Sequence, residues 1–150
     1  MAGESYNKYG FTAEDPTARI SYYPIAAAQT IVPGDMVFND GGAITLATAA
    51  SATLLGPCVS VETTPATGTV IGVSDAPETV FTCRADADVS AAILGGEYDL
   101  VGASGAQQLD VGASTTDVLY FLSVVEGQVA TAAGCLIRVK INPSKHDLLQ

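Results

Sequence analysis

The chain has 150 residues, 48% of them hydrophobic and only 15% charged, which is the size of one domain able to bury a core without a metal or a disulfide. Sixteen Asp and Glu against six Lys and Arg give a formal net charge of −10, which repels a phosphate backbone, so no nucleic acid is expected as a partner. No apolar run approaches the ~18–20 residues of a membrane helix, so no membrane association is expected either, and Met1 to Lys8 lacks the apolar stretch of a signal peptide.

Residues 1–19 read as an extended N-terminal arm, polar and broken by Gly3, Gly10 and Pro16, yet carrying Tyr6, Tyr9 and Phe11. Such rings either fold back onto their own domain or dock on a neighbour. The β-rich domain runs over 20–142. Ile20 to Ile25 alternates as a strand does, and Pro33-Gly34 supplies a turn. Asn39-Asp40-Gly41-Gly42 supplies a second turn, so Met36 to Phe38 and Ala43 to Leu46 read as a hairpin.

Thr53 to Val61 reads as a longer strand broken at Gly56-Pro57, with Pro57 demanding an edge or a bulge. Thr69 to Ser74 and Thr79 to Arg84 have the Val, Ile, Phe and Thr content of a pleated surface. Asp88 to Leu94 is the one helix expected, about two turns stopped by Gly95-Gly96. Strands resume at Tyr98 to Val101, Gln107 to Val111, Val118 to Val124 and Leu136 to Ile141, and Pro143 opens a C-terminal tail, 143–150. Short strands at roughly 8–12-residue spacing predict an all-β fold, a single β-sandwich or β-barrel-like domain of antiparallel strands.

Catalytic residue types are sparse. The one histidine, His146, falls in the tail, where mobility would deny it the fixed geometry of a general base. Neither a phosphate loop nor a dinucleotide-binding glycine pattern occurs. Cys58, Cys83 and Cys135 are an odd number, widely spaced within apolar stretches, and read as reduced core residues rather than a disulfide framework or metal site. Asp86, Asp88, Ser90 and Glu97 match part of a calcium-loop spacing, but Ala91 stands where that loop needs Gly, and helix capping by Asp86 or Asp88 explains the acids as well. Arg138 and Lys140 share one face of a strand, as solvated charges do. No catalytic set, metal or cofactor is expected. The apolar excess predicts buried subunit contacts.

Thr30 to Val37, Gly41 to Ile44, Leu54 to Pro57 leading into Val59-Ser60-Val61, Tyr98 to Gln107 and Ala113 to Leu119 together resemble the small capsid decoration, or cement, proteins of tailed bacteriophages. Pro57 stands where such proteins usually carry Val. The resemblance implies a β-rich protein, often a homotrimer, that sits on the outer capsid surface of a virion assembled in a host cytoplasm and clamps neighbouring copies of the major capsid protein. On that reading Tyr6, Tyr9 and Phe11, with Lys8 and Arg19, are the expected contacts to capsid or neighbouring subunit, because aromatic anchors dominate interface energetics. A carbohydrate- or ligand-binding β-module is the alternative, weakened by the absence of Trp.

Overall fold

Two turns fix the local geometry of the Ile31–Leu46 stretch in a computed structural model that describes residues 9–15, 17–60, 66–91 and 95–150. The Asp35 N–H donates to the Val32 carbonyl at 3.0 Å across Pro33 and Gly34, and Gly34 has φ +96°. Pro followed by a positive-φ Gly is the type II turn. Strands β3 (Met36–Asp40) and β4 (Ala43–Leu46) then pair antiparallel with Asp40 opposite Ala43. Their two-residue loop, Gly41-Gly42, has positive φ at both positions, as the hairpin twist requires.

The other strands are β1 (Thr12–Ala13), β2 (Ile20–Pro24), β5 (Gly56–Pro57), β6 (Val70–Ser74), β7 (Phe81–Arg84), β8 (Glu97–Val101), β9 (Gln108–Asp110), β10 (Leu119–Val124) and β11 (Leu136–Ile141). They form a six-stranded sheet in the order β1-β7-β11-β10-β8-β9, a pair β2-β6, and a three-stranded sheet β4-β3-β5, with antiparallel pairing in every ladder. The protein is thus an all-β, sandwich-like domain. Alternation explains the layering: in β11, Ile137, Val139 and Ile141 are buried while Arg138 and Lys140 face outward. Pro57 lies in an outer strand of its sheet, where a missing N–H costs no ladder bond.

Two buried clusters fill the domain. The larger holds Phe11, Met36, Leu54, Phe81, Leu119 and Ile137 among others, and the smaller is built around Ile25, Ile31, Val37, Leu55, Ile71 and Val73. Successive residues of an extended chain point to opposite sides. Met36-Val37 and Leu54-Leu55 therefore each send one side chain into each cluster, and the two stretches serve as the shared wall.

Four expectations need correction. Thr53 to Val61 is not one strand: Leu54 bridges to His146, Gly56-Pro57 pairs with β3 and Cys58 bridges to Val73, while Val61 lies outside the described residues. The cause is a close crossing, since a Cβ on Gly56 would stand 1.9 Å from the Ser74 carbonyl oxygen. The helix expected from Asp88 is absent over residues 88–91: Ser90 and Ala91 lie in a turn, the Asp88 carboxylate takes the Ser90 N–H at 2.7 Å and Val89 donates to the Ala130 carbonyl at 2.9 Å. Residues 92–94 of that expected helix lie outside the described residues.

The described residues of the arm are not separate from the domain. Gly10 N–H donates to the Gln107 carbonyl at 3.0 Å, Phe11 N–H to the Gly34 carbonyl at 2.8 Å, and Thr12-Ala13 joins β7. The tail is likewise folded. Pro143–Lys145 and Asp147–Leu149 form two short 3-10 turns around a buried His146, held by Leu54, whose N–H donates to Lys145 and whose carbonyl accepts from Asp147, both at 2.9 Å.

Candidate interaction surface

Asp35, which closes the type II turn, is fully buried and accepts hydrogen bonds from segments distant in sequence. Its Oδ2 accepts from Val32 N–H at 2.9 Å and Ser104 Oγ at 2.5 Å, and its Oδ1 accepts from Gly105 N–H at 2.8 Å. Beside it the buried Gln107 accepts from Met36 N–H at 2.5 Å and donates to the Ala47 carbonyl at 3.0 Å. A buried carboxylate or amide is tolerated only when its partners are supplied. Here they tie the 102–107 loop of the large sheet to the hairpin. Gly10 must pass close by, since a Cβ there would stand 2.9 Å from the Gly34 oxygen.

A second polar anchor lies under β2. The buried Asp75 accepts from Arg19 Nε at 2.9 Å, from Ser21 Oγ at 3.1 Å and from the Tyr23 hydroxyl. Burial pushes the Asp75 carboxyl up, but the three donors outweigh it and hold it below the usual carboxylate range. The Tyr23 hydroxyl is raised, first by burial and then by Asp75. Ser21 and Tyr23 thereby turn toward Asp75, which forces their neighbours on β2 to the other side.

That outward side is apolar. Ile20 is 45% exposed, Tyr22 69%, Val59 41% and Val70 58%. Gly72 sits among them: a Cβ there would meet Ile20, Val59 and Tyr22 side-chain atoms at 3.2 to 3.3 Å. The missing side chain leaves a shallow dip rimmed by three apolar groups. Val59 also lines a groove of about 250 Å³ with Tyr9, Phe11, Pro33 and Gly34, so groove and face meet at one residue. A contiguous exposed apolar face of this sort marks an interaction site more often than a scattered hydrophobe does.

Several charged groups elsewhere among the described residues are engaged internally. A cleft of about 520 Å³ is lined by Glu14, Asp15, Arg19 and Glu78 among others. Glu14 pairs with Arg138, Glu78 with Lys140 at 3.4 Å and Arg19 with Asp75. Lys140 also lies 5.9 Å from the centre of the Tyr120 ring. Asp99 Oδ1 accepts the N–H groups of Thr115, Thr116 and Asp117 at 2.8 to 2.9 Å, and these donors overcome its burial to hold its carboxyl low.

The residues singled out by sequence are dispersed. Tyr6 and Lys8 lie outside the described residues. Tyr9 is half-buried in the groove wall. Phe11, expected as a docking anchor, is 2% exposed within its own larger core; folding has claimed its apolar surface, so it is not free to contact a partner. Arg19 pairs with Asp75 while more than half of its side chain stays exposed.

The calcium-like spacing is divided among separate hydrogen bonds: Asp86 accepts from Val111 N–H at 2.9 Å, Asp88 from Ser90, and Glu97 from the Asn142 amide at 3.3 Å. Among the described residues no group of three or more His, Cys, Asp or Glu is placed to hold a metal ion. Cys58, Cys83 and Cys135 are free and buried, and burial pushes each thiol up, away from the reactive thiolate. No helix among the described residues is long and apolar enough to cross a membrane.

Sequence reasoning missed the face of Ile20, Tyr22, Val59 and Val70. The alternation of Ile20 to Ile25 was a signal for a two-faced strand, but nothing local says that the serine face turns inward. No protein-family model matches the chain, and no curated protein matches its sequence.

Proposed function

We propose that the chain is a structural virion protein that binds the outer surface of a tailed-phage capsid as a symmetric oligomer, a homotrimer, and stabilises contacts between major capsid subunits. The observation that carries this reading is the apolar face of Ile20, Tyr22, Val59 and Val70 around Gly72. The resemblance of the Thr30–Val37 and Tyr98–Gln107 stretches to decoration proteins supplies the choice of partner. On this reading the protein performs no catalysis.

Magnitudes favour a repeated partner over a single one. Covering four half-exposed side chains returns about 1 kcal/mol each, while association costs about 4–15 kcal/mol in lost freedom. One face therefore binds weakly. Three faces on one oligomer, set on a symmetric lattice, turn the second and third contacts into intramolecular events and can raise avidity by about 10²–10⁴. The expected mechanism is mechanical: many weak clamps resist the outward pressure of packaged DNA.

Co-sedimentation with undecorated capsids of the phage that encodes the chain tests the reading. Saturable binding at a fixed ratio of chains to capsid subunits is expected, and no binding would refute it. Residues 1–8 are the part of the arm to delete in a parallel sample, because Phe11 and Thr12-Ala13 belong to the fold. Reduced occupancy is expected if Tyr6 and Lys8 contribute contacts. The highly exposed Tyr22 is the one observation favouring a sugar-binding module, since an exposed ring can stack on a pyranose. Specific signals on a glycan array, lost in Tyr22→Ser, would favour that second reading.

A further inference from the structure

His146 is fully buried, and its Nδ1 accepts the Leu148 N–H at 3.1 Å. An imidazole nitrogen that accepts a hydrogen bond carries no proton, so the ring is neutral with its proton on Nε2. Nε2 is itself buried with no hydrogen-bond partner. A second proton would have to enter at Nδ1. That would break the bond to Leu148 and place a charge in an enclosed site with no acceptor for either N–H.

The segment around this ring is attached to the domain by few bonds, all grouped about the same residue. Leu54 N–H donates to the Lys145 carbonyl and Asp147 N–H to the Leu54 carbonyl, each at 2.9 Å. Asn39 N–H on β3 donates to the Asp147 carboxylate at 2.7 Å. Gln150 donates to the His146 carbonyl at 3.1 Å and to that of Ser144 at 2.9 Å, closing the segment on itself.

We propose that residues 143–150 form an acid-released latch: neutral His146 holds the segment against Leu54 and Asn39, and protonation of its imidazole frees it while the antiparallel sheets stay folded. The inference stands on the buried ring and its bonds, independently of the capsid reading.

The charged groups facing His146 are Asp147 on its own segment and Asp75, Arg19 and Glu78 from the surrounding elements. Asp147 is bonded to Asn39, Asp75 to its three donors, and Glu78 to Lys140. Burial is the largest influence and outweighs the three carboxylates, so the folded ring titrates below its ordinary 6.5. With the folded value depressed, the latch is at full strength above 6.5 and weakens as pH falls from 6.5 toward that value, by up to about tenfold per pH unit. Asp75, also held low, is ionised throughout this window.

Amide hydrogen exchange on the full chain tests the proposal, with each rate divided by its intrinsic rate at the same pH. Between about pH 7.5 and about pH 5, protection at Leu54, Asp147 and Leu148 is expected to fall severalfold, while protection in β10 and β11 is retained. His146→Asn leaves an acceptor oxygen near the Nδ1 position but cannot be protonated, so its segment should keep equal protection at both values. Equal protection of the unsubstituted chain at both values overturns the proposal, as does an undiminished loss in His146→Asn. Should that variant fail to fold, an NMR titration of the original ring decides: its midpoint must lie below 6.5, and protection must be lost between 6.5 and that midpoint. A midpoint at or above 6.5, or protection unchanged across that interval, overturns it.

Discussion

The junction at Asp35 and the outward face of β2 and β6 are built on opposite plans. At the junction, polar side chains are buried and partnered, with Asp35 and Gln107 joining segments about as far apart in sequence as the 70 positions between Asp35 and Gly105. On the face, apolar side chains are exposed around Gly72, while the polar residues of the same strand turn inward to Asp75. Partnered polar groups in the interior specify a single arrangement of two cores. Unpartnered apolar groups outside leave a surface whose energy is realised only when something covers it. On the proposed reading, stability and binding fall to different residues, and substitutions can separate them.

The largest effect should come from Asp35→Ala, which strands Val32 N–H, Ser104 Oγ and Gly105 N–H without an acceptor. A loss of about 3–5 kcal/mol is expected in urea unfolding, and a loss under about 1 kcal/mol would break the assignment of stability to the junction. Gly34→Ala should cost less, about 1–3 kcal/mol, because Ala must adopt φ +96°. Asp75 supplies a pH-dependent intermediate case. Its folded carboxyl lies below the ordinary value of 3.8, so its contribution is full above 3.8 and is lost as pH falls through the folded value. Asp75→Asn should flatten that acid limb of the unfolding midpoint against pH. The smallest effect on stability belongs to the face: Tyr22→Ser with Val70→Ser should shift unfolding by no more than about 0.5 kcal/mol per site, while capsid occupancy in co-sedimentation falls. A large loss of stability there would show the face to be part of the core.

Much of the frame was legible in the sequence, for local reasons. Pro33-Gly34 and Gly41-Gly42 declare their turns through φ requirements, β11 declares its buried side by alternation, and Pro57 declares an edge by its missing N–H. What was hidden depends on contacts between distant segments. Nothing near Asp35 announces Ser104 or Gly105 as partners. The 143–150 segment has the composition of a tail, yet Leu54 gives it backbone partners and His146 a buried site. In β2 the polarity reads the wrong way round, because burying Ser21 and Tyr23 makes sense only once Asp75 lies beneath them. The aromatics of the arm suit either folding back or docking on a neighbour, and only the contacts of the whole fold show that Phe11 takes the first course.

A reconstruction of decorated capsids by electron microscopy tests the central claim most directly. The account predicts three chains grouped about a symmetry position of the outer surface, with Tyr22 and Val70 covered by a capsid subunit. Chains attached to the capsid with Tyr22 and Val70 still facing solvent would contradict it.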